Sequence, residues 1–249
     1  MNRTNGTAAA AVVAALVFAA WASGTTVGNA GSRAAVVTPS TTSAEAGFAR
    51  DMSVHHQQAV EMSFLVRERT QDEGVRRLAY DIANTQANQR GMMLGWLDLW
   101  GLPKVESARA PMTWMGHGDA TGPREDHAGG HEHGAGHDEA AGHADSEAPG
   151  TTGGAGHAMT AKPGALMPGM ATKAEMAQLR AATGTQAEIL YLQLMTDHHK
   201  GGVDMARGCV DLCTVQQEKD LARGMVEAQQ SELALMADML KERGAAPRS

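Results

Sequence analysis

The sequence predicts an all-α protein, a ferritin-like four-helix bundle built from two repeated helical hairpins. Three observations support this. Helix-favouring Ala, Met, Leu, Glu and Gln are abundant, whereas aromatic residues make up only 4% of the 249 residues. Segments with apolar residues at helical spacing begin at capping signals and end at Gly or Pro. One gap-free shift aligns residues 48–101 with 191–244, and the identical residues lie on the inferred inner faces. Two hairpins with one apolar stripe each bury it best against each other.

The N-terminus has the pattern of an export signal over residues 1–30. Arg3 precedes an uncharged apolar run over residues 8–22, and small residues follow. That run is shorter than the about 20 residues of a bilayer span, so an uncleaved membrane anchor is the weaker alternative. We therefore expect an extracytoplasmic protein, periplasmic, in the cell wall or secreted, with residues 31–43 as a linker. The net charge of −7 gives no electrostatic reason to expect nucleic-acid binding.

The first hairpin is predicted over residues 44–101, and a short helix plus the second hairpin over 165–244. Each predicted helix follows a pair of residues with capping-box spacing. The pairs are Thr42 with Glu45, Thr70 with Glu73, Thr172 with Glu175, Thr185 with Glu188, and Thr214 with Gln217. The helices are expected at about 44–69, 72–100, 173–183, 186–212 and 215–243.

Residues 102–164 have a different composition, dominated by Gly, Ala, His, Asp and Glu. Such a segment cannot form a core, and we predict that it is a disordered His/Met/Gly-rich linker. Its histidines are either a solvated stretch without a role or a low-affinity collector of Cu(II), Zn or Ni. Met-rich clusters at its edges (Met112/Met115/His117 and Met167/Met170) are either packed turns or further ligands. Seven of the eleven histidines lie here: His117, His127, His131, His133, His137, His143 and His157.

Each hairpin carries one Met-x-x-His-His-x-x-small-Val-acid-Met motif. On a helix these side chains share one stripe, which a globular helix buries. Burying imidazole without a partner is costly, and thioether plus imidazole is the ligand set of a soft ion, above all Cu(I), or of silver. We therefore predict that the two stripes meet and coordinate a shared ion. The predicted ligands are Met52, His55, His56 and Met62, with Met195, His198, His199 and Met205.

Two other functions compete with metal binding. In a structural or interaction module, the methionines would only fill the core. Nearby polar side chains (Gln86, Gln89, Gln229 and Glu232) would then satisfy the histidines. In a ferritin-like metal-oxidising enzyme, Glu-x-x-His motifs would project inward, but neither hairpin contains one. We therefore predict a binding protein rather than an enzyme.

Cys209 and Cys213 lie four residues apart, in line with the second ligand stripe. A disulfide between them would require distorted helix geometry. Export nevertheless favours oxidation. If reduced, they would be buried thiols or extra soft ligands.

At these residues the chain resembles the family catalogued as domain of unknown function 305. That family is recognised by a His-His-x-x-Ala-x-x-Met helix, a Gln-containing helix and a Met-Pro-Gly-Met turn. The resemblance covers about 44–101 and 165–244, and it implies a ferritin-like bundle; some exported members are associated with copper or silver binding and tolerance. The second copy departs from the pattern at Gly202, where Ala is usual, which should soften that helix. The matching residues are 55–62, Gln86, 167–170 and 198–205.

Overall fold

The computed structural model describes residues 38–116 and 160–248, and within them the regular structure is entirely helical. The predicted all-α fold is thereby confirmed. The predicted signal peptide and the seven linker histidines lie outside the described residues. No described helix is long and apolar enough to cross a membrane. The helices are α1 (Ala44–Arg69), α2 (Glu73–Leu99), α3 (Lys173–Ala181), α4 (Gly184–Leu212) and α5 (Gln216–Glu242), with a 3-10 turn at Thr113–Met115.

Helix capping follows the prediction only at α3, where Thr172 and Glu175 form a reciprocal capping box. Ser43, rather than Thr42, caps α1, and Asp72 caps α2. Neither α4 nor α5 has a side-chain cap. The capping motif reflects only neighbouring residues. The capping prediction was wrong where a residue of the predicted pair forms a hydrogen bond with the other hairpin instead.

Two glutamates of the predicted capping pairs, Glu45 and Glu188, instead connect the two hairpins. Glu45, at the start of α1, accepts hydrogen bonds from the backbone N–H and the hydroxyl of Thr214, in the α4–α5 turn. Glu188, at the start of α4, accepts a 2.5 Å hydrogen bond from the hydroxyl of Thr70, in the α1–α2 turn. Arg243 forms an ion pair with Glu188 at 2.7 Å. Each hairpin therefore holds the turn of the other, and α1 and α4 run antiparallel.

The hairpins pack against each other through α1 and α4, while α2 packs on α1 and α5 packs on α4. Two buried apolar clusters lie along this contact, one toward each end. The first cluster contains Met62 and Met195 together with side chains of α2, α3 and α5. The second contains Met52 and Met205 together with both cysteines. The motif positions between these methionines therefore lie at the middle of the α1–α4 contact.

Residues 102–116 pack on the bundle, so the predicted start of a disordered linker at 102 is wrong. Asp51 accepts hydrogen bonds from the backbone N–H of Met112 at 2.7 Å and from the indole N–H of Trp114 at 3.0 Å. The Trp114 ring lies edge-on to Phe48, with centroids 5.8 Å apart. It sits where a Cβ on Gly47 would come within 2.4 Å of it. The Met-rich edge at 112–115 is thus a packed turn.

Candidate metal centre

The four motif histidines form a buried cluster at the α1–α4 contact, here called the histidine cluster. The four side chains and the four motif methionines are all 0% exposed. The rings of His55 and His198, one from each hairpin, lie with their centroids 3.7 Å apart and their planes tilted by 35°. The ring of His56 lies 6.5 Å from that of His55, and the ring of His199 lies 6.3 Å from that of His198.

Three of the four rings are oriented by a hydrogen bond at Nε2. His56 pairs with Gln89 Oε1 at 2.8 Å, and His199 pairs with Glu232 Oε2 at 2.6 Å. His198 Nε2 donates to the backbone carbonyl of His55 at 2.9 Å. Each partner is an oxygen acceptor, which assigns the proton to Nε2. The lone pair of a neutral ring is then on Nδ1, and such outer hydrogen bonds are the ones that orient metal-ligating imidazoles.

The remaining cluster nitrogens have no hydrogen-bond partner among the described residues. They are Nδ1 of all four rings and Nε2 of His55, and the side-chain amides of Gln86 and Gln229 are equally unpartnered. Leaving a buried polar atom unpaired costs about 1–3 kcal/mol. Native proteins leave few such atoms, so the cluster has donor atoms available to a ligand or to ordered water. The donor set of neutral imidazoles fits a soft or borderline metal ion.

Burial keeps three of these imidazoles neutral, those of His55, His56 and His198. It lowers the pKa of His55 to about 3, helped by electrostatic repulsion from His56 and His199 and opposed by the Pro168 carbonyl, which faces this ring outside hydrogen-bonding geometry. Burial likewise lowers the pKa of His56 to about 3, with the Gln89 hydrogen bond opposing the shift. The pKa of His198 is held well below its usual value, again mainly by burial. At neutral pH these rings are therefore in the form that binds metals, without competition from protons.

A turn formed by residues 167–170 lies directly on α4 beside the cluster. A Cβ on Gly201 would come within 2.2 Å of the Pro168 carbonyl oxygen, and a Cβ on Gly169 within 2.5 Å of the Asp197 carbonyl oxygen. Gly169 also has a φ of 78°, which favours glycine. Met167 and Met170 are buried here in the apolar core, as packing side chains.

Gly202, which the sequence suggested would soften the helix, makes room for Gln229. A Cβ at this position would come within 2.4 Å of Gln229 Oε1. On the α1 side, the Gln58 amide donates to the Ala171 carbonyl at 2.8 Å and accepts from its N–H at 2.7 Å. Sequence reasoning missed these supporting roles, although adjacent glycines inside a helix signal a close backbone approach.

The predicted methionines do not converge on one point. Met52 and Met205 belong to one apolar cluster, and Met62 and Met195 belong to the other. Positions 52 and 62 are about 15 Å apart along the axis of α1. A single ion cannot contact both, so the eight predicted ligands cannot all bind one ion. The four imidazoles lie between two methionine layers.

The two cysteines form a disulfide. Bridging does not distort α4, because the helix ends at Leu212 and Cys213 has extended backbone angles, φ −68° and ψ 148°.

Within the described ranges, one group of three metal-ligand side chains has its ligand atoms all within 4.8 Å of one another. This group is Cys209, Cys213 and Glu218. The imidazoles do not meet that criterion. An ion in the histidine cluster would bind two of them, or rings would turn to bring in a third.

Comparison with known proteins identifies the family. No curated protein matches the chain. The crystal structure of a DUF305 protein from Streptomyces coelicolor is similar, with 55% identity and a TM-score of 0.64 over 84% of this chain and 99% of that one. A DUF305 fragment from Deinococcus radiodurans has 27% identity and a TM-score of 0.54, covering 80% and 96%.

A third structure, CopM in the Cu(I)-bound form, matches at 14% identity with a TM-score of 0.49, over 80% of this chain and 96% of that one. A likeness this weak carries no argument about what this chain binds. The model of the family described as "Domain of unknown function (DUF305)" matches residues 45–240, and the chain therefore belongs to that family.

Proposed function

We propose that the histidine cluster binds a soft metal ion, Cu(I) or silver, and that the protein sequesters or passes on that ion in metal homeostasis or tolerance. One observation carries the proposal. Four fully buried imidazoles from two hairpins carry unpartnered Nδ1 atoms, the rings of His55 and His198 have centroids 3.7 Å apart, and three of the four rings are oriented through Nε2. Buried, neutral and oriented imidazole is what a metal site requires.

The surroundings favour a monovalent ion. The donors facing the cluster are neutral imidazoles and amides, with apolar methionine layers on both sides. Burying charge in such a place is costly, and the cost rises steeply with the charge of the ion. Cu(I) and silver carry a single charge, accept low coordination numbers and tolerate thioether neighbours. Glu232, which bonds to His199, would compensate that single charge.

The competing structural interpretation explains only part of the cluster. Gln89 and Glu232 do satisfy one nitrogen each of His56 and His199. The amides of Gln86 and Gln229 satisfy none. Catalysis is not part of the proposal, because neither hairpin has a Glu-x-x-His motif. Oxidation of Cu(I) or Fe(II) with oxygen no faster than for the free ion is the corresponding expectation.

Competitive titration with Cu(I) tests the proposal on the chain from residue 31 onward. The variant His55→Ala/His198→Ala removes one ring from each hairpin, and circular dichroism reports whether it folds. The matched control replaces the seven linker histidines with Ala and leaves the bundle intact. We expect the control to retain tight Cu(I) binding and the bundle variant to lose it. Equal stoichiometry and affinity in the bundle variant and the unaltered protein would refute the proposal.

Thermal denaturation gives a second readout that does not need a variant. A ligand that binds only the folded state raises stability by about 2.7 kcal/mol at 100 times its Kd. We expect the melting temperature to rise with Cu(I) or silver. A purely structural bundle would melt at the same temperature with and without metal.

We further propose that the protein acts outside the cytoplasm. The signal-like residues 1–30 support this, as does the Streptomyces coelicolor relative, which is described as a presumed secreted protein. Cell fractionation, with N-terminal sequencing of the mature chain, tests the location. Full-length protein recovered from the cytoplasm would contradict it.

A further inference from the structure

A second group of ligand-type side chains lies at the far end of α4. Cys209 is in the last turn of α4, Cys213 follows that helix, and Glu218 is in the first turn of α5. They are 0%, 2% and 0% exposed. Cys209 follows His199 by ten positions, about 15 Å along the helix, so this group is separate from the histidine cluster.

Glu218 is the unexplained member of this group. Both of its carboxyl oxygens are buried and have no hydrogen-bond partner among the described residues. Burial, and then the nearby charge of Glu45, raises the pKa of Glu218 to about 9. Glu45 itself bonds to Thr214. A buried carboxyl without a partner is costly.

The other hairpin shows what this position looks like without ligands. The repeat aligns Cys209, Cys213 and Glu218 with three residues of a different kind, and these too are buried. They are Val66 at 0%, Thr70 at 2% and Val75 at 0% exposure. The hydroxyl of Thr70 is hydrogen-bonded to Glu188. Packing the bundle end therefore requires neither thiols nor a carboxyl.

We propose that Cys209, Cys213 and Glu218 form a second metal site, for a divalent ion of the zinc class, which the disulfide closes and its reduction opens. Two thiolates and a carboxylate are ligands that zinc accepts. Their summed charge of −3 suits a divalent ion, in contrast to the neutral imidazoles. An ion bound here would give both carboxyl oxygens the partner they lack.

Opening the site is a thiol–disulfide exchange with a dithiol reductant. The Cys209–Cys213 bond breaks as it takes up two electrons and two protons, and the reductant becomes a disulfide. Metal binding then releases the two thiol protons and the Glu218 proton to water. Oxidising surroundings keep the site closed and reducing ones open it.

Cadmium, a thiophilic divalent ion with strong thiolate charge-transfer absorption, is the probe. Titrations compare the oxidised and the reduced chain from residue 31 onward. We expect reduction to add one equivalent of Cd²⁺, with new near-ultraviolet absorption, and Cys209→Ser/Cys213→Ser to abolish that increment. Equal cadmium stoichiometry in the two redox states would overturn the proposal.

Glu218→Gln tests the third ligand with little change in shape. We expect the reduced variant to bind Cd²⁺ at least about tenfold more weakly. Asp220→Asn removes an exposed carboxylate from the same turn of α5 and should leave the affinity unchanged. Wild-type affinity in a folded Glu218→Gln variant would also overturn the proposed site. Neither measurement depends on the histidine cluster.

Discussion

The two hairpins have the same residue types at the centre of the bundle and different ones at its ends. At the centre, His55 faces His198, and both hairpins contribute a buried, unpartnered amide. At the ends, the second hairpin has two cysteines and a buried glutamate where the first has Val66, Thr70 and Val75. At the centre, a side chain such as His55 packs against the equivalent residue of the other hairpin, so a change in one copy affects both. At the ends, the equivalent residues of the two hairpins lie in different surroundings and can differ.

The centre itself is only partly symmetric. The turn at 167–170 covers one side of it, and Gly201 admits that turn where the first hairpin has Gln58. Glu232 bonds to His199 where Gln89 bonds to His56. The two His-His pairs therefore share a geometry, but they differ in the charge of the hydrogen-bond partner and in whether a turn packs over them. Four predictions follow that difference, from the largest expected effect to the smallest.

Acid should destabilise the metal-free protein through the histidines of both hairpins. The folded pKa of His55 and His56 is about 3, against 6.5 for an unperturbed ring. Between those values the unfolded chain binds more protons, so stability falls as the pH falls. The loss is roughly 2 kcal/mol per imidazole between pH 7 and pH 5. Chemical denaturation at a series of pH values measures it.

The variant His55→Gln/His56→Gln is the control for the acid prediction. It removes two of the titrating groups and should flatten the pH dependence. If its pH dependence matched that of the unaltered protein, the histidines would not be its cause.

Gly201→Ala should destabilise the second hairpin by about 1–3 kcal/mol, because its Cβ would collide with the Pro168 carbonyl. The matched control is Gly224→Ala in α5, where a Cβ meets nothing within 4 Å. The control should be stabilised by about 0.5–1 kcal/mol. Urea unfolding compares the two variants. Equal effects would mean that the turn does not rest on α4 as described.

Exchanging the outer histidine partners should change metal affinity in opposite directions. Glu232→Gln makes the second hairpin resemble the first and should weaken Cu(I) binding by about 10–100-fold. Gln89→Glu makes the first hairpin resemble the second and should strengthen it. Competition against a Cu(I) chelator measures both. Unchanged affinity in both variants would separate these residues from the site.

Removing one hydroxyl from each inter-hairpin bond should give the smallest effects. Thr70→Val loses the bond to Glu188 and a bond from the Asp72 N–H, at a cost of about 1 kcal/mol. Thr214→Val should cost less, because its backbone N–H still donates to Glu45. Thermal unfolding of the two variants tests the order. The reverse order would contradict the assigned bonds.

Local sequence signals were reliable where the structure is local. The predicted helix limits agree with the observed ones to within two residues, because periodicity and Gly or Pro stops act along the chain. Burial of the His-His/Met stripes followed from the same periodicity. Capping was less predictable, because Glu45 and Glu188 found partners in the other hairpin. The Cys209–Cys213 disulfide depended on where α4 ends.

By itself, the sequence determined five helices, a duplicated hairpin and two stripes of imidazole and thioether that must be buried. These follow from side-chain order along one chain. Only the tertiary structure decided that the methionines separate into two layers around the imidazoles, that Gly201 and Gly202 admit a turn and an amide, and that Glu218 meets the cysteines. The first two depend on how closely segments far apart in the chain approach, and the third depends on the geometry of the α4–α5 turn, neither of which a local sequence pattern encodes.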